Sequence, residues 1–250
     1  SAKAEYDQRI AWARQLIAWK EDAWDQLKGQ ELDEARKDET ASKYLRKFIG
    51  ATELLYDEER YCLWLVDAKP QDIRSSALIK NRLESVAAMR SKSPTSSVQE
   101  QAATPGLFTQ IRQPSGDYFA LPKVSSEKRE YIPGAFFTKE EIAGDGVLTF
   151  PNAPLWLFGF LQSKAFTEWV ATFSGRLESR FQILPAIVYF TFPFVIPNEN
   201  QKLEIEDLCR KVLEARAENQ GANLADLYDP LTMPVNLRKA HNALDKYIDS

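Results

Sequence analysis

The apolar positions along this chain change period several times, and each change marks a predicted element. From Glu5 to about Lys28, Ile10, Ala13, Leu16, Ile17, Trp24 and Leu27 recur mostly at helical spacing, which predicts an amphipathic helix whose broad apolar face needs a partner surface. The charge-rich stretch Gln30 to Thr40 continues it as exposed helix or linker. Ser42 to Ile49 carries Tyr44, Leu45, Phe48 and Ile49 as apolar pairs four residues apart, with Gly50 as a helix stop. Arg60 to Asp67, RYCLWLVD, then reads as a buried strand, because it is a nearly continuous apolar run of strand length. Asp72 to Ser91 returns to helical spacing and leads into Lys92 to Gln101, a Ser-rich polar loop expected to be mobile or ordered only by a ligand.

Short strands are predicted at Leu107 to Ile111, Tyr118 to Val124, Glu130 to Ile132 and Gly144 to Phe150, separated by turn residues. An apolar stretch Leu155 to Leu161, a helix from Ser163 to Thr172, a Gly175–Arg176 loop and an apolar segment Ile183 to Ile196 follow. Asn200 to Asn219 and Val235 to Ile248 are amphipathic helices, with a short helical turn at Asn223 to Leu227 between them. The fold class is therefore α+β: a small mixed β-sheet domain with flanking helices, plus N-terminal and C-terminal helical segments.

Composition narrows the function. With 2 cysteines far apart and 1 histidine, a protein-built metal site is excluded in practice and a reduced, cytoplasmic setting is expected. The longest apolar run is too short and too proline-broken to span a bilayer, so no membrane partner is expected. Ser1 in place of Met points to a processed chain or a piece of a longer one. The net charge of −4 argues against a general polyanion binder, yet residues 74 to 130 carry 9 basic against 5 acidic side chains, as one binding face would.

Within that basic segment, DYFALPKVSSEKREYIP places Lys123, Ser125, Ser126, Glu127, Lys128 and Arg129 between apolar residues. Arg and Lys donate to guanine edges and phosphates, Glu accepts from the cytosine amine, and Ser hydroxyls bond either, so the cluster has the inventory of a base-reading loop. A charged turn between two strands is the alternative for the same residues. Arg112 lies near it in sequence, and Arg90, Lys92, Ser93, Thr95 and Ser96 form a second candidate loop. Gly175 and Arg176 are a further pair that could reach a phosphate or cap the preceding helix. Trp156, Phe158, Phe160, Trp169 and Phe173 lie in apolar surroundings and read as core rather than base-stacking platforms. His241 reads as a surface or cap histidine, and Glu140 with Glu141 as carboxylates at a helix start.

Several blocks carry a family resemblance. KYLRKFIGATELL, RYCLWLVDA, VSSEKREYIP, LWLFGFLQS, GRLESRF, VYFTFPF and LADLYDPLTMPVNLRKAHNALDK occur in the order found in the C-terminal part of MmeI-like DNA methyltransferases, and together they run from Lys43 to Lys246. The block Val188 to Val195 departs from the family pattern, which usually has an Asn and a Trp-Pro there, and the first 40 residues match no family block. The resemblance implies large bacterial proteins that couple an S-adenosylmethionine-dependent adenine methyltransferase to target recognition, often with an endonuclease in the same chain. It implies a helix and linker over residues 1 to 42, a target recognition domain over 43 to 196 and a C-terminal helical region over 197 to 250. The implied partners are double-stranded DNA and the methyltransferase domain of the same chain.

Catalysis is not expected of this piece. A methyltransferase of that kind needs a glycine-bearing strand-to-helix turn for its cofactor and an Asn/Asp-Pro-Pro-aromatic loop for the flipped base. The nearest stretches, Phe158-Gly159-Phe160 and Phe192-Pro193-Phe194, lack those groups and read as core. Protein docking through the Glu5 to Lys28 helix is the competing function.

Overall fold

The computed structural model describes Leu27 and residues 29–250. The predicted helix at Glu5 to Lys28 and its docking face lie outside the described residues, apart from Leu27. The fold is α+β. In chain order the elements are α1 (Gly29–Lys37), β1 (Leu45–Ile49), α2 (Ala51–Tyr56), β2 (Tyr61–Leu63), α3 (Pro70–Ser75), α4 (Ala77–Ser91) and α5 (Ser96–Glu100). Then come β3 (Tyr118–Pro122), β4 (Val124–Ser125), β5 (Ala135–Phe137), β6 (Ile142–Ala143), β7 (Val147–Pro151), α6 (Leu155–Leu161), α7 (Lys164–Phe173), β8 (Gly175–Leu177) and β9 (Arg180–Gln182). The last three are α8 (Glu199–Glu218), α9 (Leu224–Leu227) and α10 (Val235–Ile248).

The chain divides into two compact units that do not follow its linear order. One holds the chain through Phe48 and again Glu59–Arg112; the other holds Ile49–Glu58 and Gln113–Ser250.

In the first unit β1 pairs antiparallel with β2, with Leu45 opposite Leu63 and Lys47 opposite Tyr61. The helix expected at Ser42 to Ile49 is thus a strand, entered through a short 3₁₀ turn at Ala41–Tyr44, and Gly50 caps the start of α2 rather than ending a helix. Spacing by four fits a single helical turn, but pairing with β2 satisfies the same backbone groups and decides the matter. Asp72 to Ser91 breaks into α3 and α4 at Ser76, whose hydroxyl accepts the Ile79 N–H as an N-cap. Leu107 to Ile111 forms no strand. Instead Phe108 sets its ring 5.2 Å from Trp64 and 6.2 Å from Phe48.

In the second unit β3 lies between β5 and β7, antiparallel to both. All five of its residues are buried, because each face has its own core. Phe119 and Leu121 face a large cluster with Phe158, Phe160, Val170, Ile205, Val212 and Leu244, whereas Tyr118 and Ala120 face Ile49, Leu54 and Val147. The Leu155 to Leu161 stretch is helical and packs on α8, where a Cβ at Gly159 would stand 2.7 Å from Ile205 Cγ2 and 2.8 Å from Cys209 Sγ. Gly159 is therefore the residue that lets the two helices approach. The expected strand at Glu130 to Ile132 has no ladder partner, although Tyr131 and Ile132 are deeply buried. Ile183 to Ile196 is irregular, with Tyr189, Phe192 and Phe194 laid against the large core.

Candidate nucleic-acid interface

A second small sheet, in the order β4-β9-β8, carries the candidate interface. Lys123 connects it to the central sheet: its N–H donates to the Gly146 carbonyl at 2.9 Å and its own carbonyl accepts the Ile183 N–H at 2.7 Å. The Lys123 ammonium meets Asp145 Oδ1 at 2.7 Å. β4 then pairs with β9, Val124 opposite Gln182 and Ser125 opposite Phe181. Continued past Ser125, that register brings Ser126 level with Arg180, at the end of the sheet where Glu178 and Ser179 join β8 to β9. Two turns therefore share one end of one sheet.

The first of these turns is Ser126 to Arg129, closed by the Arg129 N–H on the Ser126 carbonyl at 3.3 Å, with the Ser126 hydroxyl accepting the Lys128 N–H at 3.3 Å. Lys128 is exposed, and Ser126, Glu127 and Arg129 are partly so. Among the described residues the Lys128 and Arg129 side chains have no hydrogen-bond or ion-pair partner. The second turn holds Glu178 in the left-handed region (φ 59°), with Arg180 paired to it at 3.0 Å. A bulky residue in that conformation costs on the order of 1 kcal/mol. Arg176 does not float free, since it lies over the Phe181 ring at 4.4 Å and donates to the Ser179 and Ala171 carbonyls. The Gly175–Arg176 loop expected from the sequence is thus strand β8. Glu178, Ser179 and Arg180 were not among the expected site residues. In the hairpin Arg176 pairs with Phe181 and Leu177 with Arg180, so the two arginines lie on opposite faces and their spacing along the chain carries no usable signal.

Three expected contacts are corrected by burial. Arg90 is fully buried, and its guanidinium donates to the carbonyls of Gln101, Thr104 and Leu107 at 2.6 to 2.8 Å. Burial lowers its pKa to about 10. It ties a loop to α4 and presents nothing to a duplex. Ser93 is 2% exposed and caps Thr95, so the loop expected to be ordered by a ligand is ordered by its own helix α5 and its own hydrogen bonds. Ser125 is 1% exposed, on the Phe181 side of the sheet, and its hydroxyl makes no hydrogen bond. Lys92, Thr95, Ser96 and Arg112 are exposed and belong to the first unit.

The remaining candidates are also placed. His241 is a core residue, not a surface one: it is wholly buried, its Nε2 is 2.7 Å from the Tyr228 hydroxyl, and its ring stacks on Tyr131 at 4.0 Å. Burial, aided by the nearby Arg216 charge, lowers its pKa to about 3. Glu141 does not begin a helix; its carboxylate closes a turn by accepting the Thr138 N–H. Phe173 is 48% exposed, against the expectation of core, and stacks on Trp169 at 4.2 Å. No group of His, Cys, Asp and Glu among the described residues could hold a metal ion. No described helix is long and apolar enough to cross a membrane.

Comparison with known proteins decides the family. The description "MmeI, target recognition domain" matches residues 25–196, and "MmeI, C-terminal domain" matches residues 196–250. The chain belongs to the MmeI family. A curated relative, DNA methyltransferase A of Bacillus subtilis (strain 168), is 35% identical over 206 residues, which cover 82% of this chain and 23% of the relative. A solved structure of the type IIL restriction-modification enzyme MmeI in complex with DNA superposes with a TM-score of 0.86 at 38% identity, covering 89% of this chain and 30% of that one. The chain thus spans about a quarter to a third of the length of these MmeI-type relatives. The family match begins at residue 25, upstream of the Lys43 where the block resemblance starts.

Proposed function

We propose that this chain is the sequence-specific DNA target recognition module of an S-adenosylmethionine-dependent DNA adenine methyltransferase of a bacterial, cytoplasmic restriction-modification system. Recognition is assigned to residues 43 to 196, extended upstream by the family match from residue 25, and the helical support to 197 to 250. The observation that carries this reading is the shared end of the β4-β9-β8 sheet, toward which both the Ser126 to Arg129 turn and the Glu178–Ser179 turn lie by the strand register. Phosphate binding alone would call for cations; donors interleaved with carboxylates are what discrimination between base edges requires. The relative bound to DNA in its solved structure supports the choice of duplex as partner.

Catalysis is assigned to the methyltransferase domain of the same parent chain, which supplies the cofactor site. The two stretches nearest to methyltransferase motifs pack in the interior: Phe158-Gly159-Phe160 lies inside α6 with its glycine pressed on α8, and Phe192 and Phe194 line the core. A second reading, docking of a protein partner, is favoured by the exposed Phe190, Val195, Ile196 and Leu203. Binding to a pool of random duplex DNA at low and moderate salt separates the two. Base reading with phosphate contacts gives salt-sensitive binding that a Lys128→Ala, Arg129→Ala double variant loses, and sequencing the bound fraction gives the target. Absence of binding at low salt defeats the recognition reading for the isolated chain.

A further inference from the structure

The segment that leaves the reading turn, Glu130 to Gly134, belongs to no strand, and nearly every residue in it is held by side chains from the C-terminal helices or the α6–α7 junction. Arg238 of α10 meets Glu130 Oε1 at 3.1 Å. The Tyr131 hydroxyl donates to Asp245 Oδ2 at 2.8 Å, and the other oxygen of that carboxylate accepts the Lys164 N–H at 2.9 Å, at the first turn of α7. The buried Gln162 amide donates to the Ile132 carbonyl at 2.7 Å, while its oxygen accepts Arg216 Nη2 at 2.6 Å. Arg216 also donates to the Gly134 carbonyl at 2.8 Å and to the Tyr228 hydroxyl at 2.7 Å. Tyr228 in turn bonds His241, whose ring covers Tyr131.

An irregular buried segment must satisfy its backbone groups somewhere. Here Arg216 of α8 and Gln162 of the α6–α7 junction supply donors to the Gly134 and Ile132 carbonyls that a neighbouring strand would otherwise provide, while α10 holds the Glu130 and Tyr131 side chains. We propose that the C-terminal helices position the base-reading turn, with Tyr131 and Asp245 as the central pair and Arg238, Arg216 and Gln162 as its supports. This rests on the reading of Ser126 to Arg129 as base contacts. The C-terminal region is then part of the specificity apparatus, although it need not touch a base: a reading group must be held to a fraction of an ångström to tell one base edge from another, whereas attraction to phosphates tolerates movement.

The test has two arms, both on the full chain. Tyr131→Phe keeps the ring stacked on His241 and removes only the hydroxyl. Amide exchange should quicken by on the order of tenfold over residues 127 to 132 and stay unchanged in α8, as local opening requires. Unchanged exchange at the turn, or acceleration equal throughout the unit, overturns the proposal whether or not DNA binds. In the second arm, discrimination between the selected target and duplexes altered at one base pair should fall about tenfold, within the range one base contact carries. Random-duplex affinity and its salt dependence should hold, unlike in the Lys128→Ala, Arg129→Ala variant. Loss of both affinities in equal measure overturns positioning in favour of a plain structural role. Arg238→Lys, which keeps the charge that meets Glu130, should retain most of the discrimination, and Arg238→Met should not; equal behaviour of the two removes Arg238 from the supports. A wild-type chain that binds no duplex defeats the recognition reading and leaves the exchange arm to judge the positioning.

Discussion

Arg90 and Arg129 come from the same basic segment of the sequence and from equally polar, Ser-rich surroundings, yet they end in opposite situations. Arg90 is fully buried and enclosed by three carbonyls of the loop that follows α4, so its guanidinium presents nothing to a ligand. Arg129 closes a turn with its backbone and leaves its side chain without a partner among the described residues. The first guanidinium organises a loop; the second stays available. Both are arginines of one basic segment, so what separates their situations is which carbonyls the fold brings within reach.

The largest effect that can break this contrast is on stability. Arg90→Met should cost roughly 3 kcal/mol, because three buried carbonyls lose a charged donor, while leaving the salt dependence of DNA binding unchanged. Chemical denaturation and a salt titration of binding check the two halves. If Arg90→Met folds normally and loses DNA affinity, the burial argument fails.

Next comes Lys128→Ala with Arg129→Ala, which should weaken duplex binding by about 2 kcal/mol and reduce the log–log salt slope by up to about 2. Stability should stay within about 0.5 kcal/mol of wild type, since these side chains hold nothing in place.

A pH experiment sharpens the same distinction in the interior. His241 has its pKa lowered to about 3 by burial, whereas in the unfolded chain it would titrate near its ordinary value. The stability it contributes is complete above the unfolded pKa and is lost as pH falls from about 6.5 toward 3, at roughly 1.4 kcal/mol per pH unit. Between pH 7.5 and 5.5 wild type should lose about 1 kcal/mol that His241→Gln does not, measured by urea unfolding at both values.

The smallest effect belongs to Ser125→Ala. Its hydroxyl is buried without a hydrogen bond, so removal should change stability by less than about 1 kcal/mol, in the favourable direction, and leave DNA binding intact. A clear loss of target discrimination would return Ser125 to the reading set.

The sequence was legible where the signal is local. The periodicity of the last two long helices places them within a residue or so of α8 and α10, and the start of α8 is marked by Asn198, whose side chain accepts the Gln201 N–H. The turn at Ser126 to Arg129 was also readable, from polar residues interrupting an apolar pattern. By contrast, Ser42 to Ile49 was misread as helix because its spacing suits either state and only β2 decides between them. Gly175–Arg176 was taken for a loop and the rest of the β8–β9 hairpin was left unassigned, so Arg180 was passed over.

Taken by itself, then, the amino-acid order determined the α+β class, the family, the long helices and the presence of a polar turn in a basic segment. Those features depend on residues near one another in the chain, or on blocks that keep their order. Tertiary structure alone decided that Arg90, Ser93, Ser125 and His241 are interior groups, that β4 pairs with the β8–β9 hairpin, and that Tyr131 is held by Asp245 across 114 residues. Burial and hydrogen-bond partnership are properties of the folded neighbourhood, and no periodicity along the chain records them.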